Sequence, residues 1–166
     1  AEYLRTMSRN ATTQIDATFY NPAGLAFIDK EGFHFAAGNY ALFQQKTIQD
    51  ESELLVGLGF DEPYESVGSS FLYPTLHAAY RMGDWAAHFN FLPTGGGGGG
   101  NYENGLPSFD TMILGAASDL AGLTPSSYAR DMYFKGTSYN LGTTLGLAYK
   151  VHEMISISAG YRFTYG

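Results

Sequence analysis

Four histidines, His34, His77, His88 and His152, are the side chains best suited to proton transfer or metal ligation near neutral pH, and each falls on a different segment. His77 and His88 lie on the two arms of one predicted hairpin, on the parity opposite its apolar rows, and so share a face. No third ligand and no orienting carboxylate accompanies them, so neither a metal site nor a hydrolytic triad is expected. Their reading is a polar lining, with direct contact to a ligand as the sharper alternative. Arg81 and Arg162 read the same way: solvated or paired within a polar lining, or opposed to a carboxylate through charge-assisted hydrogen bonds. The six glycines from Gly95 to Gly100 lack the Lys-Ser/Thr ending of a phosphate loop and do not open a helix, so no nucleotide site is expected. Ordering each of them costs about 0.5–1 kcal/mol relative to alanine, which predicts a mobile loop or a backbone held close against something. No cofactor, no metal and no enzymatic activity is expected.

Composition narrows the classes further. Aromatic residues make up 16% of the 166 residues and charged residues only 15%, against about 25% charge in an ordinary soluble domain. A formal net charge of -7 leaves no basic stripe to neutralise phosphates, which argues against nucleic acid as a partner. The absence of cysteine excludes disulfides and thiolate metal ligands. No apolar run reaches the ~18 residues of a membrane-spanning helix, whereas barrel strands need only ~9–11 residues each.

The elements that must position these side chains are mostly strands. Ile155, Ile157, Ala159, Tyr161, Phe163 and Tyr165 alternate with Ser156, Ser158, Gly160, Arg162 and Thr164, the period of two that marks a strand with one apolar and one polar face. Asn140–Lys150 alternates likewise, and the Val151-His152-Glu153 link makes the two a hairpin. Ser69–Met82 and Trp85–Leu92 form the other clear hairpin, turning at Gly83-Asp84, with Pro74 predicting an irregular or edge-like start to its first arm. Gly32–Lys46 is predicted as a strand whose register switches near Gly38, and Leu54–Phe60 as a short strand-like piece folded into a loop. Phe109, Met112, Ile113, Ala116 and Leu120 recur at helical spacing after Ser108 as N-cap, with Gly122 as a stop and a second short helix from Thr124-Pro125. Asn21-Pro22-Ala23-Gly24 is a strong turn signal that forbids a regular strand across Ile15–Phe27, so short helical turns or a compact plug are expected there.

That Asn21-Pro22-Ala23-Gly24-Leu25-Ala26 segment follows Ser8-Arg9-Asn10-Ala11 and Phe19-Tyr20 and precedes Leu141–Lys150. The combination resembles the outer-membrane transport protein family of long-chain fatty-acid and aromatic-hydrocarbon channels. Leu106-Pro107-Ser108-Phe109 and Gly160-Tyr161-Arg162-Phe163 look like its Bacteroidetes-like branch. The resemblance implies an all-β fold: a transmembrane antiparallel β-barrel with an N-terminal hatch and a short helical insertion, of which this chain is a partial barrel. Residues 1–31 would be the hatch or plug, with Asn21, Pro22, Ala23 and Gly24 as its motif. Residues 32–166 would be the N-terminal barrel strands, with the glycine-rich and helical insertion at 94–139. Phe19, Tyr20, Leu25, Phe27, His77, Arg81, His88 and Arg162 would be contacts for a hydrophobic small molecule taken up by diffusion across a bacterial outer membrane. The other partner would be outer-membrane lipid, and the complete protein monomeric. Transfer of each CH₂ from water contributes ~0.8 kcal/mol, enough to move a long acyl chain without covalent chemistry.

The same strands admit other readings: a secreted or surface β-sandwich that binds a partner, or a structural outer-membrane barrel without transport. In the sandwich the apolar rows pack on another sheet.

Overall fold

The computed structural model describes residues 9–57, 62–119 and 131–166. Its elements run in the order α1 (Ala17–Tyr20), a 3₁₀ helix (Pro22–Phe27), β1 (Gly32–Ile48), α2 (Glu53–Gly57), β2 (Tyr64–Met82), β3 (Trp85–Tyr102), α3 (Pro107–Asp119), β4 (Phe134–His152) and β5 (Ile155–Tyr165). The strands form one sheet in sequential order, β1-β2-β3-β4-β5. The fold among the described residues is therefore a mixed α/β one: an antiparallel sheet with four short helical elements. The expected all-β transmembrane barrel is not what the chain forms. β1 and β5 stand at opposite ends of the strand order, and the sheet does not close on itself.

By its internal contacts the chain divides into two compact units. The first comprises Ala1–Tyr40, Leu72–Gly96 and Tyr139–Gly166. Its apolar core is small: Ala17, Leu25, Ala26 and Ile28 of the N-terminal segment meet Ala79, Ala86 and Ala148 of β2, β3 and β4. Alanines on the strands let the one-turn helices approach the sheet closely. The β4–β5 register pairs Leu145 with Tyr161, Leu147 with Ala159 and Tyr149 with Ile157 on one face, and Thr144 with Arg162 and Ala148 with Ser158 on the other. The helices cover this second face over Thr144 and Ala148, while Ser158 and Arg162 on β5 remain exposed.

The second unit comprises Ala41–Phe71 and Gly97–Ser138. Tyr64 and Asp110 are buried, and the Tyr64 hydroxyl donates to Asp110 Oδ2 at 2.6 Å, fixing α3 to β2. Phe109 and Tyr102 both pack on the Phe134 ring. The Asn101 amide donates to Ser66 Oγ at 2.8 Å.

Several sequence expectations change here for identifiable reasons. The hexaglycine is not a loop: β3 runs through it to Tyr102. Glycine is needed for close approach, since a Cβ at Gly68 would fall on the Gly99 carbonyl oxygen, and one at Gly100 would crowd the Tyr102 ring and Ser66 Oγ. Gly96, with φ 84°, takes the left-handed conformation where an alanine would be strained. Pro74 does not mark an edge, because β2 lies between β1 and β3. Next to it, Asn39 Oδ1 accepts the Tyr73 N–H at 2.9 Å. In β1 the burial alternation keeps its phase on either side of Gly38–Ala41, so the register does not switch. It switches in β2 instead, where Phe71 and Leu72 are both exposed in succession.

Leu54–Phe60 is not strand-like where it is described; Glu53–Gly57 is helical, with Ser52 Oγ capping the Leu55 amide at 3.4 Å. α3 starts at Pro107, which places Ser108 inside the helix rather than at its cap. Its buried positions are Asp110 and Leu114, while the expected stripe residues Met112 and Ile113 are exposed. Leu120, Gly122 and the second helix expected from Thr124-Pro125 lie outside the described residues.

Two glycines should respond oppositely to alanine. Gly68→Ala forces its methyl onto backbone and should lower stability by about 1–3 kcal/mol. Gly115→Ala, inside α3 with open space around it, should raise stability by about 1 kcal/mol. Urea unfolding midpoints of the two variants and the parent check both signs.

Candidate functional site

Of the polar side chains singled out in the sequence, His77 and Arg162 meet the N-terminal helical segment at a seam with the covered face of the first unit, whereas His34 Nε2 lies 2.8 Å from the Lys30 carbonyl and His152 is exposed at the end of β4. α1 is one turn long and is followed after Asn21 by Pro22, which has no N–H, so its later carbonyls lack partners within the helix. The sheet supplies the donors. Asn90 Nδ2 on β3 donates to the Thr18 carbonyl at 2.6 Å, in full burial. Ser156 Oγ on β5 donates to the Ala23 carbonyl at 2.8 Å. Arg162, also on β5, donates to Thr144 Oγ1 at 3.1 Å and to the Phe19 carbonyl at 3.4 Å, with its guanidinium 4.4 Å from the centre of the Phe19 ring.

The Asn21-Pro22-Ala23-Gly24 motif has a local physical explanation. Asn21 Nδ2 reaches back to the Thr12 carbonyl at 3.1 Å, and the Gly24 amide donates to the Asn21 carbonyl at 2.8 Å. A Cβ at Gly24 would collide with that same Thr12 carbonyl and lie 2.7 Å from Asn21 Nδ2. Pro22 opens the 3₁₀ helix, where its missing N–H costs nothing. Upstream, Asp16 accepts from Thr12 Oγ1 at 2.7 Å and pairs with Arg9 Nε at 2.8 Å.

His77 and His88 do share this face. His77 Nδ1 lies 2.7 Å from Thr18 Oγ1, and burial pushes its pKa below 6.5 against the opposing pull of Asp16. His88 is 4% exposed, and neither ring nitrogen has a protein partner among the described residues. Burial alone lowers its pKa below 6.5. Asn90 Oδ1 and Arg81 Nε are likewise buried without a protein partner. Each neutral group left so costs about 1–3 kcal/mol.

Thr18, His77 and Asp16 superficially resemble a nucleophile, a base and an orienting acid. Thr18 is wholly buried, so its hydroxyl cannot reach a substrate carbonyl, and Asp16 is engaged by Thr12 and Arg9. Among the sequence candidates, then, Phe19, Arg162, His77 and the Asn21–Gly24 motif meet at the seam. Leu25 is instead a fully buried core residue, Phe27 is half-buried, and Tyr20 meets Phe19 edge-on at 4.8 Å. Thr18, Asn90, Thr144 and Ser156 were not foreseen. Their signal was parity, since the last three sit opposite the apolar rows. In the second unit a hollow of about 570 Å³ is lined by Glu62, Glu65, Glu103, Asn101 and neighbours. Its three carboxylates are on exposed residues, and no metal-ligating cluster occurs among the described residues.

The opposite face of the first unit is bare and apolar. Trp85 packs on Tyr149 with ring centres 4.5 Å apart, and Leu145, Leu147, Ile157, Tyr161 and Phe163 are each more than half exposed.

Comparison with known proteins gives no match to any family model, curated protein or solved structure. Membership of the outer-membrane transport protein family is therefore not supported. Without that family or a closed barrel, the expected outer-membrane location, lipid and small-molecule partners, monomeric channel and diffusive uptake lose their basis. Among the described residues no helix is long and apolar enough to cross a membrane.

The seam should make stability depend on pH. Both histidines are held neutral when folded, whereas the unfolded chain takes up protons near 6.5. Stability is then full above pH 6.5 and falls as pH drops through 6.5 toward the lowered folded values. Denaturant midpoints between pH 7.5 and 5 should decline in the parent and decline less in His88→Gln; an unchanged slope in that variant would remove His88 from the account.

Proposed function

We propose that the chain is a non-catalytic protein-binding module that works as one layer of a sandwich, its bare apolar face packing on an apolar sheet face of a partner. The observation that carries this reading is the row of exposed Trp85, Leu145, Leu147, Ile157, Tyr161 and Phe163, continued by Tyr80, Met82 and Leu72 on β2. At on the order of 100 Å² apiece they present about 900 Å², beyond the ~300–600 Å² of the largest patch on most monomers and close to the ~800 Å² per partner of a stable interface. Packed sheets lie ~10 Å apart, a spacing that side chains of this size fill from both sides.

A second copy of the chain presents a face of the required kind and serves as the probe. Sedimentation velocity over a concentration series should show reversible association, with Trp85 emission shifting to shorter wavelength as it is covered. Leu145→Lys combined with Leu147→Lys should weaken association at least tenfold while keeping far-ultraviolet circular dichroism. A chain that stays monomeric at every concentration, or whose Trp85 shifts only on phosphatidylcholine vesicles, would overturn the reading.

A further inference from the structure

We infer that residues 9–28 form a proton-released strap: protonation of His88 detaches this segment from the sheet of the first unit, while the strands beneath it stay paired. Such release is a local event, distinct from global unfolding at low pH, and it comes first as the pH falls.

The segment is braced within itself, so it leaves as a piece. Asp16 accepts from Thr12 Oγ1 and pairs with Arg9, Asn21 Nδ2 bonds the Thr12 carbonyl, and the Gly24 amide bonds the Asn21 carbonyl. It joins β1 through the exposed Asp29, Lys30 and Glu31 and then Gly32, whose φ of 102° and open surroundings suit a hinge. Its apolar hold on the sheet is small: Ala17, Leu25, Ala26 and Ile28 against one alanine each from β2, β3 and β4. The side chains it uncovers on leaving include His77, His88, Asn90 and Thr144, all of them polar. Water can take over the bonds from Asn90 to the Thr18 carbonyl and from Arg162 to the Phe19 carbonyl. Lifting the strap therefore costs less than breaking the strand ladders, the usual order of local and global opening.

His88 is the trigger because of where it stands. It is 4% exposed, neither ring nitrogen has a protein partner among the described residues, and its Nε2 abuts Gly146 of β4. A second ring proton needs an acceptor, and the elements around it offer no free carboxylate among the described residues. β2 brings His77 and Arg81, whose Nε is itself buried without a protein partner. β5 brings Arg162, and Lys150 of β4 is paired with Asp84 at the hairpin end. The strap brings Arg9 and Asp16, and Asp16 is already engaged by Arg9 and Thr12. Glu31, beside the hinge, accepts from the Gly83 amide. A proton on His88 thus adds a buried charge to a face that already carries two arginines, and uncovering gives that charge its water back. His77 resists less, since Thr18 Oγ1 lies 2.7 Å from its Nδ1 and Asp16 favours its charged form.

The direction of the effect follows. A solvated imidazole titrates near 6.5, and burial lowers that value for His88 in the closed form. Proton uptake then favours the open form as pH falls below 6.5, by about tenfold at pH 5.5 for one imidazole protonated only when uncovered.

Hydrogen exchange of the full chain, corrected for the intrinsic pH dependence of amide exchange, reads the release. Protection over residues 17–27 should fall at least threefold between pH 7.5 and 5.5, while that of residues 143–149 and 157–163 holds. His88→Gln, which keeps a neutral polar side chain, should show at most half of that fall on a logarithmic scale. In the parent, the His88 ring-proton resonance should titrate with the midpoint at which protection is lost, a check that needs no variant. A smaller fall over residues 17–27, equal loss from the strands, a larger remaining fall in His88→Gln, or a His88 titration displaced from the opening would overturn the proposal.

Discussion

The carbonyls of a short, buried N-terminal helical segment need donors, and the rest of the first unit is arranged around that need. A one-turn helix leaves its later carbonyls unpaired, so Asn90 and Arg162 bond those of Thr18 and Phe19 from the sheet, and Ser156 adds a bond to that of Ala23. Donors of this kind can occupy the covered face only if large apolar side chains do not. The apolar contact that remains is made by alanines and by Leu25 and Ile28. The usual logic of a sheet with helices on one side is thereby inverted. The face beneath the helices carries alanines, Asn90, His77 and His88, and Trp85, Leu145, Leu147, Ile157, Tyr161 and Phe163 stand on the side left bare.

That inversion explains both what the sequence disclosed and where it misled. Strict alternation in Ile155–Tyr165 and Asn140–Lys150 reveals two strands and the parity that pairs Thr144 with Arg162. It also places His77 and His88 on one face. Alternation alone does not say which row is covered, and an apolar row beside an aromatic-rich composition reads naturally as one facing lipid. The closed barrel came from a resemblance that rested on short segments, above all Asn21-Pro22-Ala23-Gly24. Those four residues have a sufficient local cause in the Thr12 carbonyl that Asn21 bonds and Gly24 must clear. A motif dictated by a tight turn is weak evidence of kinship.

The remaining surprises arose where a residue's ordinary tendency was overruled by its neighbours. Six glycines suggest mobility in isolation, yet Gly68 and Gly99 approach so closely that side chains would keep the strands apart. Proline suggests an edge, yet Pro74 lies in β2, which has β1 on one side and β3 on the other. Leu54 to Phe60 alternates too briefly to distinguish strand from helix, and Ser52 capping Leu55 decides for helix over Glu53–Gly57. None of these partners is near in sequence to the residue it redirects, except Ser52. Its hydroxyl, three residues before Leu55, is the one local signal of a helix start among them.

A Cβ built at Gly146 would overlap Nε2 of His88, lie 2.8 Å from the Ala159 carbonyl oxygen and come within 3.0 Å of His88 Cε1. Imidazole and glycine are in effect two tenants of one space, joined across neighbouring strands and remote in the chain. A ring of that size is tolerated on β3 because β4 contributes nothing but main chain opposite it. Were position 88 to shrink, the polar cost of the buried ring would vanish, but the Ala159 carbonyl would still stand 2.8 Å from a methyl at 146. Position 146 is therefore pinned from two sides, by an imidazole on one neighbouring strand and by main chain on the other, and relaxing the first alone does not release it.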